Sequence, residues 1–200
     1  MNLKGATIWF TGLPSSGKSA IAREVYQRLH DGGCAVELLD GAEVRESLSR
    51  GLGFSREDRE ENVRRIGFVA KLLSRNGVIA ICAAVSPFRS TREEVRGNTA
   101  NFVEVYVECP VEVAEARDTD GMYARARRGE LPDFTGVTGP YEPPLSPEVH
   151  VNSATESLDQ GAWKVIRTLE ILGIVSRAGS EGADQGEDSL RKRLAGLGYI

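Results

Sequence analysis

A glycine-rich octapeptide near the N-terminus restricts the folds that this chain can adopt. Residues 12–19 read GLPSSGKS, which fits the pattern G-x-x-x-x-G-K-[ST] at every fixed position. In this pattern the glycines let backbone N–H groups turn inward around phosphate groups, and a helix N-terminus adds a positive end. The mechanism requires a strand before the octapeptide and a helix after it. An apolar run over 6–11 and a helical pattern over 18–29 supply both, so the sequence predicts a phosphate-binding turn in an α/β fold.

The eight residues of this turn form the predicted ATP-binding site. They are Gly12, Leu13, Pro14, Ser15, Ser16, Gly17, Lys18 and Ser19. Lys18 would bridge the outer phosphates of ATP, and the Ser19 hydroxyl would bind Mg²⁺. The alternative is an ordinary glycine-rich turn between a strand and a helix. A random chain of this length matches the fixed positions about one time in a hundred, so nucleotide binding is favoured.

Strand and helix patterns continue to alternate along the chain. Further apolar runs lie at 35–39, 78–85, 102–107 and 149–151, and further helical patterns at 58–76 and 157–172. The run at 78–85 is apolar without alternation, as expected for a strand that is covered on both faces. Strands that alternate with helices imply a parallel sheet wound by right-handed crossovers. We therefore predict an α/β fold of the three-layer P-loop NTPase type, similar to nucleotide kinases, with a mostly parallel five-stranded sheet.

Two segments break this alternation. Residues 131–147 hold five prolines and two glycines with little helical or strand pattern, and we expect them to form a mobile lid, because such long loops usually have a function. Residues 176–188 are rich in Gly, Ala, Ser and acidic residues, which is typical of a flexible linker. The predicted organisation is a kinase domain over 1–175, this linker, and a tail over 189–200 with a short helix that docks on the domain or on a partner.

Composition argues against several classes of function. The formal net charge of −4 disfavours general nucleic-acid binding, which needs a basic surface. No apolar run reaches the about 20 residues of a membrane helix, and the N-terminus has no signal-peptide pattern, so we expect a cytoplasmic protein without a membrane partner. Cys34, Cys82 and Cys109 are scattered in or beside apolar stretches, and buried thiols are expected there rather than a disulfide or a metal site.

Longer motifs follow the phosphate-binding turn in a fixed order. They are DGAEVR at 40–45, GLGFSREDREENVRR at 51–65, SPFR at 86–89, RD at 117–118 and FTGVTGPYE at 134–142. Their order and spacing resemble the adenylylsulfate kinase family over about residues 3–172. That family uses ATP to phosphorylate the 3′-hydroxyl of adenosine 5′-phosphosulfate in sulfate assimilation. The resemblance implies this activity, Mg²⁺ and ATP as cofactor and donor, small-molecule substrates and a homodimer.

The resemblance also implies roles for individual residues. It places these residues in the acceptor pocket: Arg45, Phe54, Arg59, Asn62, Ser86, Pro87, Phe88, Phe134 and Thr135. Phe134 would stack on the acceptor base under the lid, and Arg117 would stack on the adenine of ATP. Asp40 would hold a water molecule on Mg²⁺ or orient the accepting hydroxyl. Some family members carry phosphate on the serine that corresponds to Ser86, which makes it a candidate catalytic residue beside Lys18 and Asp40.

From the residues alone, most of these roles have a structural alternative. Asp40 is equally suited to cap a helix, and Phe54 to pack in the core. Arg59 alone would more often lie on a solvated helix face. For Ser86 a structural role in a turn is favoured over a covalent intermediate. Arg59 and Asn62 stand three residues apart, so we expect them to share one face of the long helix.

Two positions depart from the family pattern, both on the acceptor side. The family normally has Asp-Gly-Asp where this chain has Asp40-Gly41-Ala42, and usually a lysine where this chain has Asp120. One carboxylate is missing, and an anion replaces a cation. Two other functions therefore stay open beside adenylylsulfate phosphorylation. One is a kinase for another anionic hydroxyl compound, and the other is a non-catalytic nucleotide-binding domain that regulates a partner.

Overall fold

A computed structural model of the protein describes residues 4–176 and 187–200. Its centre is a five-stranded sheet in which every neighbouring pair of strands is parallel. The strands are β1 (Ala6–Thr11), β2 (Val36–Asp40), β3 (Ile79–Ala83), β4 (Phe102–Glu108) and β5 (Val149–Asn152), in the order β2-β3-β1-β4-β5. The predicted α/β class and parallel sheet are confirmed, and each predicted strand ends within two residues of the observed one.

Eight helices are described around this sheet. They are α1 (Lys18–Asp31), α2 (Gly41–Glu46), α3 (Arg56–Arg75), α4 (Arg89–Asn98), α5 (Val111–Ala116), α6 (Met122–Arg127), α7 (Leu158–Ile171) and α8 (Glu187–Gly196). The sequence patterns predict α1, α3 and α7 to within two residues at each end. They miss α2, α5 and α6, which have six residues each, and α4, whose buried side combines Val95 with two polar residues. Most of the predicted linker, at 177–186, lies outside the described residues.

Apolar side chains cover both faces of the sheet. On one face, Ile8 of β1 packs with Val25 of α1 and Leu169 of α7. On the other face, Trp9 packs with Ile66 of α3. All five side chains are fully buried. Successive side chains of a strand point to opposite faces, so β1 contributes to both clusters and its sequence shows no polar alternation.

The carboxyl ends of the strands gather the candidate functional segments at one edge of the sheet. The phosphate-binding turn follows β1, and α2 follows β2 directly. Residues 84–88 follow β3, while Cys109 and Ser153 follow β4 and β5. In open parallel sheets this edge is where ligands bind. The fold therefore brings together motifs that lie more than a hundred residues apart in the sequence.

Neither a membrane-spanning helix nor a side-chain cluster for a metal ion is found in residues 4–176 and 187–200. In these ranges no helix is both long and apolar enough to cross a membrane. The same ranges hold no group of three or more His, Cys, Asp or Glu side chains that could bind a metal ion. Cys82 and Cys109 are buried free thiols and Cys34 is a partly exposed one. Burial raises the pKa of the Cys82 thiol, which makes it unreactive.

Candidate active site

The phosphate-binding turn joins β1 to α1 through two glycines with positive φ. Gly12 has a φ of 151°, and a Cβ at this position would lie 2.4 Å from the carbonyl oxygen of Val107 in β4. Gly17 has a φ of 93° and occupies the N-cap position of α1. An L-residue with a side chain would be strained at both positions. The strand, turn and helix that the octapeptide requires are therefore present.

Lys18 is the first residue of α1 and is buried inside the turn. Its ammonium group donates to the carbonyl oxygen of Leu13 at 2.6 Å and to Ser16 Oγ at 3.4 Å. Burial lowers the pKa of Lys18 to about 8, although the negative charge of Asp40 opposes the shift. The two loop oxygens hold the cation at the centre of the turn, where phosphate oxygens could replace them.

Asp40 ends β2 and caps α2, which is the structural alternative that its sequence context leaves open. Its Oδ1 accepts from the Ala42 backbone N–H at 3.1 Å, and its Oδ2 accepts from Arg23 at 2.9 Å. A carboxylate has about four lone-pair sites, so these two contacts leave room for a water molecule. Asp40 also acts on the pKa of Lys18 through its charge. Capping and a role beside the phosphates are therefore compatible.

Arg59 and Asn62 lie together on the buried side of α3, as their spacing predicts. Arg59 is 8% exposed and Asn62 is 6% exposed. The Arg59 guanidinium donates to Thr135 Oγ1 at 3.0 Å and to the Asp133 carbonyl oxygen, both in the lid segment. Burial lowers the pKa of Arg59. Asn62 Oδ1 is buried without a hydrogen-bond partner among the described residues, a deficit that a ligand donor would correct.

Arg45 and Phe54 form a cation–aromatic pair at the rim of the site. The guanidinium carbon of Arg45 lies 4.5 Å from the centroid of the Phe54 ring. Phe54 is 55% exposed, which excludes the alternative of core packing. Burial lowers the pKa of Arg45, and the positive charge of Arg59 adds to the effect, so the two guanidinium groups share one electrostatic environment. Two such cations beside an exposed ring suit an anionic aromatic ligand.

Ser86, Pro87 and Phe88 connect β3 to α4 and are all buried. Ser86 has a φ of 41°, in the left-handed region that non-glycine residues rarely occupy. Its Oγ accepts from Trp9 Nε1 at 2.9 Å and donates to the Ala84 carbonyl oxygen at 3.0 Å. The hydroxyl is thus used to hold the turn, in line with the structural role that the sequence favours.

The lid segment, residues 131–147, is packed onto the domain at several points. Phe134 is 7% exposed and meets the Tyr123 ring edge-on, with the ring centroids 5.0 Å apart. Further along, the Tyr141 hydroxyl and Thr11 Oγ1 share a hydrogen bond of 3.0 Å at the end of β1. Phe134 therefore lies in an apolar cluster, and stacking on an acceptor base would require its ring to leave that cluster.

Arg117 and Asp120 are both exposed and lie in the segment between α5 and α6. Arg117 donates to the carbonyl oxygen of Ser153 at 2.8 Å and to its Oγ at 3.3 Å, which fixes the guanidinium plane. Asp120 has the Thr119 hydroxyl as its partner, at 3.5 Å. In the described parts of the chain no hydrogen bond or ion pair joins it to a residue that the resemblance assigns to the acceptor pocket.

Arg92 is a supporting residue that the sequence patterns do not reveal. It is 1% exposed. Its guanidinium donates to Glu104 Oε1 at 2.8 Å, to the Ser86 carbonyl oxygen at 2.7 Å and to the Glu142 carbonyl oxygen at 2.7 Å. One side chain thus joins the sheet, the loop after β3 and the lid. Arginines are common on the polar face of surface helices, so no local signal marks this one as buried.

The phosphate-binding turn, or P-loop, lies at the carboxyl edge of this five-stranded parallel sheet, next to the lid segment. This arrangement is typical of P-loop kinases that act on small molecules. The family model described as adenylylsulphate kinase matches residues 4–152. The chain belongs to the adenylylsulphate kinase family.

Individual relatives agree with this membership. The adenylyl-sulfate kinase of Rippkaea orientalis is 50% identical over 177 residues, which are 88% of this chain and 98% of the relative. That of Halothermothrix orenii is 48% identical over 175 residues, 88% of this chain and 95% of the relative. The solved structure of a Mycobacterium tuberculosis APS kinase in complex with AMPPNP and APS is similar with a TM-score of 0.80 and 40% identity. That match covers 84% of this chain and 98% of the other.

Proposed function

We propose that this protein is an ATP-dependent adenylyl-sulfate kinase, which transfers the γ-phosphate of ATP to the 3′-hydroxyl of adenosine 5′-phosphosulfate. Family membership supports the reaction, and the similar Mycobacterium tuberculosis enzyme was solved with AMPPNP and APS. The observation that carries the proposal is a turn of the lid segment that contacts both the P-loop, where ATP would bind, and Arg59, which would bind the acceptor. Thr135 accepts from Arg59, and the next residue, Gly136, packs so closely that a Cβ there would lie 3.1 Å from Leu13 in the P-loop.

On the donor side, Lys18 would exchange its bond to the Leu13 carbonyl for the outer phosphates of ATP. The Leu13 carbonyl oxygen is neutral, whereas phosphate oxygens carry negative charge, so the exchange adds Coulomb attraction to the ammonium group. Phosphoryl transfer depends mainly on positioning and charge stabilisation, and Lys18 supplies both at the transferred group. Arg117, fixed by Ser153, would stack on the adenine.

Ser19 and Asp40 fit the Mg²⁺ that accompanies ATP. Ser19 follows Lys18 and is partly exposed, and within the described residues its hydroxyl has no hydrogen-bond partner. Asp40 retains acceptor capacity beyond its bonds to Ala42 and Arg23. A hydroxyl and a carboxylate reached through water, together with phosphate oxygens, form the kind of oxygen donor set that Mg²⁺ prefers. The bound ion would neutralise charge on the phosphate oxygens.

On the acceptor side, Arg45, Arg59 and Asn62 would bind the phosphosulfate and the nucleoside. The two arginines have lowered pKa values because burial disfavours their charge, and an anion would compensate both. Asn62 Oδ1 offers an unsatisfied acceptor to a ligand donor. Phe54 supplies an exposed aromatic face, and Phe134 would supply a second one after moving out of its cluster.

The loop after β3 would shape the acceptor pocket without covalent chemistry. The Ser86 hydroxyl is occupied by Trp9 and Ala84, and its backbone is held by Arg92. Pro87 and Phe88 extend this rigid wall. The lid above it would exclude water during transfer, which in a kinase suppresses wasteful hydrolysis of ATP.

A second candidate function is phosphorylation of a different anionic hydroxyl compound. It is favoured by Ala42 and Asp120, since both departures change charge at positions that the family uses toward its acceptor. Both residues are exposed, so solvent screening reduces the expected effect, and adenylylsulfate remains the preferred acceptor.

A direct assay decides between these functions. Purified protein is mixed with MgATP and adenylylsulfate, and the 3′-phosphorylated product is separated and quantified. A panel of other nucleotides and hydroxylated anions is assayed at the same concentration. We expect adenylylsulfate to have the highest kcat/KM. A higher value for another acceptor would favour the second function, and no transfer to any acceptor would favour a non-catalytic nucleotide-binding domain.

The assembly and location that we propose are a homodimer in the cytoplasm. Phe68 of α3 is 62% exposed. Leu48, in the turn after α2, is 41% exposed, and its carbonyl oxygen accepts from Arg65 of α3. Exposed apolar side chains such as these are suited to bury against a second copy. Sedimentation of wild type and Phe68→Glu would test this, with Leu158→Glu on α7 as the control. A wild type that sediments as a monomer would overturn the dimer.

A further inference from the structure

The C-terminal helix α8 is docked on the domain by both apolar and ionic contacts. Leu190 and Leu194 are 7% and 0% exposed. Arg167 of α7 forms a buried ion pair with Glu187 at the first residue of α8. The family model ends at residue 152, and α8 lies well beyond it. The helix is therefore a feature of this chain whose role the family match does not explain.

The docked segment contacts the chain where the lid joins β5. Arg193 of α8 donates to the carbonyl oxygen of Pro147, the last lid residue, at 2.8 Å. The hydroxyl of Tyr199 donates to Glu148 Oε1 at 2.7 Å. Burial raises the pKa of Tyr199 to about 12, so its hydroxyl keeps its proton at neutral pH. Two adjacent residues at the base of the lid are thus both held by the tail.

Glu148 links the C-terminal segment to buried residues of the domain through hydrogen bonds. Its side chain is 2% exposed, and its Oε2 accepts from the Glu104 backbone N–H at 2.5 Å. Arg96 lies between the two carboxylates, with bonds of 2.7 Å to Glu148 and 3.1 Å to Glu104. Glu104 in turn accepts from Arg92. An unbroken series of hydrogen bonds therefore runs from Tyr199 to Arg92.

Arg92 connects this series to the proposed acceptor pocket. Its guanidinium donates to the carbonyl oxygens of Ser86, in the loop after β3, and of Glu142, in the lid. Buried hydrogen-bonded ion pairs keep one geometry, because any displacement leaves a charge unsatisfied. A change in the position of Glu148 is therefore expected to alter the position of the lid and of the Ser86 turn together.

We propose that residues 187–200 act as a clasp on the base of the lid and that Tyr199 is a positioning residue for acceptor binding, through its hydrogen bond to Glu148. The clasp keeps the lid base and the loop after β3 in the arrangement that receives the acceptor. Its effect on acceptor binding rests on the proposed function, whereas its effect on the lid does not.

The test removes single hydrogen bonds from the full chain. Tyr199→Phe deletes the hydroxyl that binds Glu148. Tyr26→Phe is the control, because among the described residues the Tyr26 hydroxyl has no hydrogen bond, while its ring packs on the core and stacks on His30. Arg193→Met deletes the bond to Pro147. Lys192→Met is the control, because Lys192 lies exposed on α8 and has no hydrogen bond or ion pair among the described residues. The readouts are hydrogen exchange over residues 131–148, KM for adenylylsulfate, KM for ATP and kcat.

Tyr199→Phe and Arg193→Met are each expected to speed exchange at the lid base and to raise KM for the acceptor by about three- to tenfold, with kcat and KM for ATP changed less than twofold. The controls should match wild type. Unchanged exchange and unchanged acceptor KM in both clasp variants would overturn the proposal, as would a lower melting temperature with no change in the lid. If wild type fails to phosphorylate adenylylsulfate, the proposed function falls, and exchange at the lid base still decides whether the clasp exists.

Discussion

The cations of the site are held by protein oxygens that a substrate can replace. Lys18 donates to the Leu13 carbonyl, and Arg59 donates to the Asp133 carbonyl. Both partners are neutral oxygens, whereas the substrates offer anionic ones, which make stronger bonds. Each side chain is thereby kept near its working position at low cost. Asp40 follows the same principle, since it caps α2 while keeping acceptor capacity toward a metal-bound water.

Replacement of Lys18 should remove the reaction. Lys18→Ala is expected to lower kcat/KM by at least about 10²- to 10³-fold, because no other residue of the P-loop supplies a cation to the outer phosphates. The measurement is the rate of product formation as the ATP concentration is varied at saturating adenylylsulfate. Lys71→Ala, on the exposed side of α3, is the matched control. Near wild-type turnover in Lys18→Ala would contradict the donor site.

The affinity for ATP should weaken at alkaline pH. Burial lowers the pKa of Lys18 to about 8, so the free protein loses this positive charge above pH 8. Bound phosphates favour the charged form, and binding then requires uptake of a proton. The dissociation constant of ATP is expected to be flat near pH 7 and to rise by up to about tenfold per pH unit above pH 8. Calorimetric titrations across this range measure it. Lys18→Arg, which stays charged, should show no such rise.

The two departures from the family should limit the use of adenylylsulfate. Ala42→Asp restores a carboxylate two residues from Asp40, but position 42 is exposed and solvent screens the charge, so a gain in kcat/KM of about two- to fivefold is expected. Asp120→Lys replaces repulsion by attraction toward an anion, but Asp120 is exposed, so a gain of about two- to threefold is expected. Steady-state kinetics of wild type and both variants test this. No gain in either would show that these positions do not tune the acceptor.

At the scale of elements, sequence patterns predict the strands and helices whose formation depends on the burial of their own apolar residues. The strands and α3 have continuous apolar runs or a clear helical period, and both are visible in the sequence. Helix α4 buries Thr91, Arg92 and Val95, so its inward face looks like a surface face and is missed. The lid shows the same limit, because its prolines predict an irregular loop but not the Arg59 contact that holds its tip.

The lid should become more protected when substrates bind. Within 131–147, three backbone N–H groups converge on the Phe134 carbonyl, and little other regular bonding is described, so we expect rapid exchange in the free protein. Nucleotide and acceptor would add contacts at Phe134 and Thr135. Hydrogen exchange measured with and without ADP plus acceptor is expected to slow across this segment, while α7 serves as an internal reference. An unchanged rate in the lid would rule out closure.

Across the whole molecule, the buried ion pairs could not have been predicted from the sequence. Arg92 and Glu104 belong to a helix and a strand whose polar residues give no sign of contact, and Glu148 comes from beyond the lid. The pairs become neighbours only because the sheet places β5 beside β4 and because Arg92 and Arg96 of α4 bond to Glu104 and Glu148 there. Motif order, by contrast, predicts that Lys18 and the Arg59–Asn62 pair belong to one site. In the structure Lys18 follows β1 at the carboxyl edge of the sheet, and Arg59 of α3 contacts the lid segment at Thr135.

This network should make a large contribution to global stability. Arg92→Met removes a guanidinium that is 1% exposed and leaves Glu104 without its closest cation, so a loss of about 3–5 kcal/mol is expected. Arg64→Met is the matched control, since Arg64 of α3 pairs with Glu94 of α4 on the exposed surface, and about 0–1 kcal/mol is expected there. Urea denaturation followed by circular dichroism gives both free energies of unfolding. Equal losses in the two variants would mean that the buried pair stabilises the fold no more than a surface pair does. The hydrogen bonds by which Arg92 joins the lid, the loop after β3 and the sheet would then contribute little to stability.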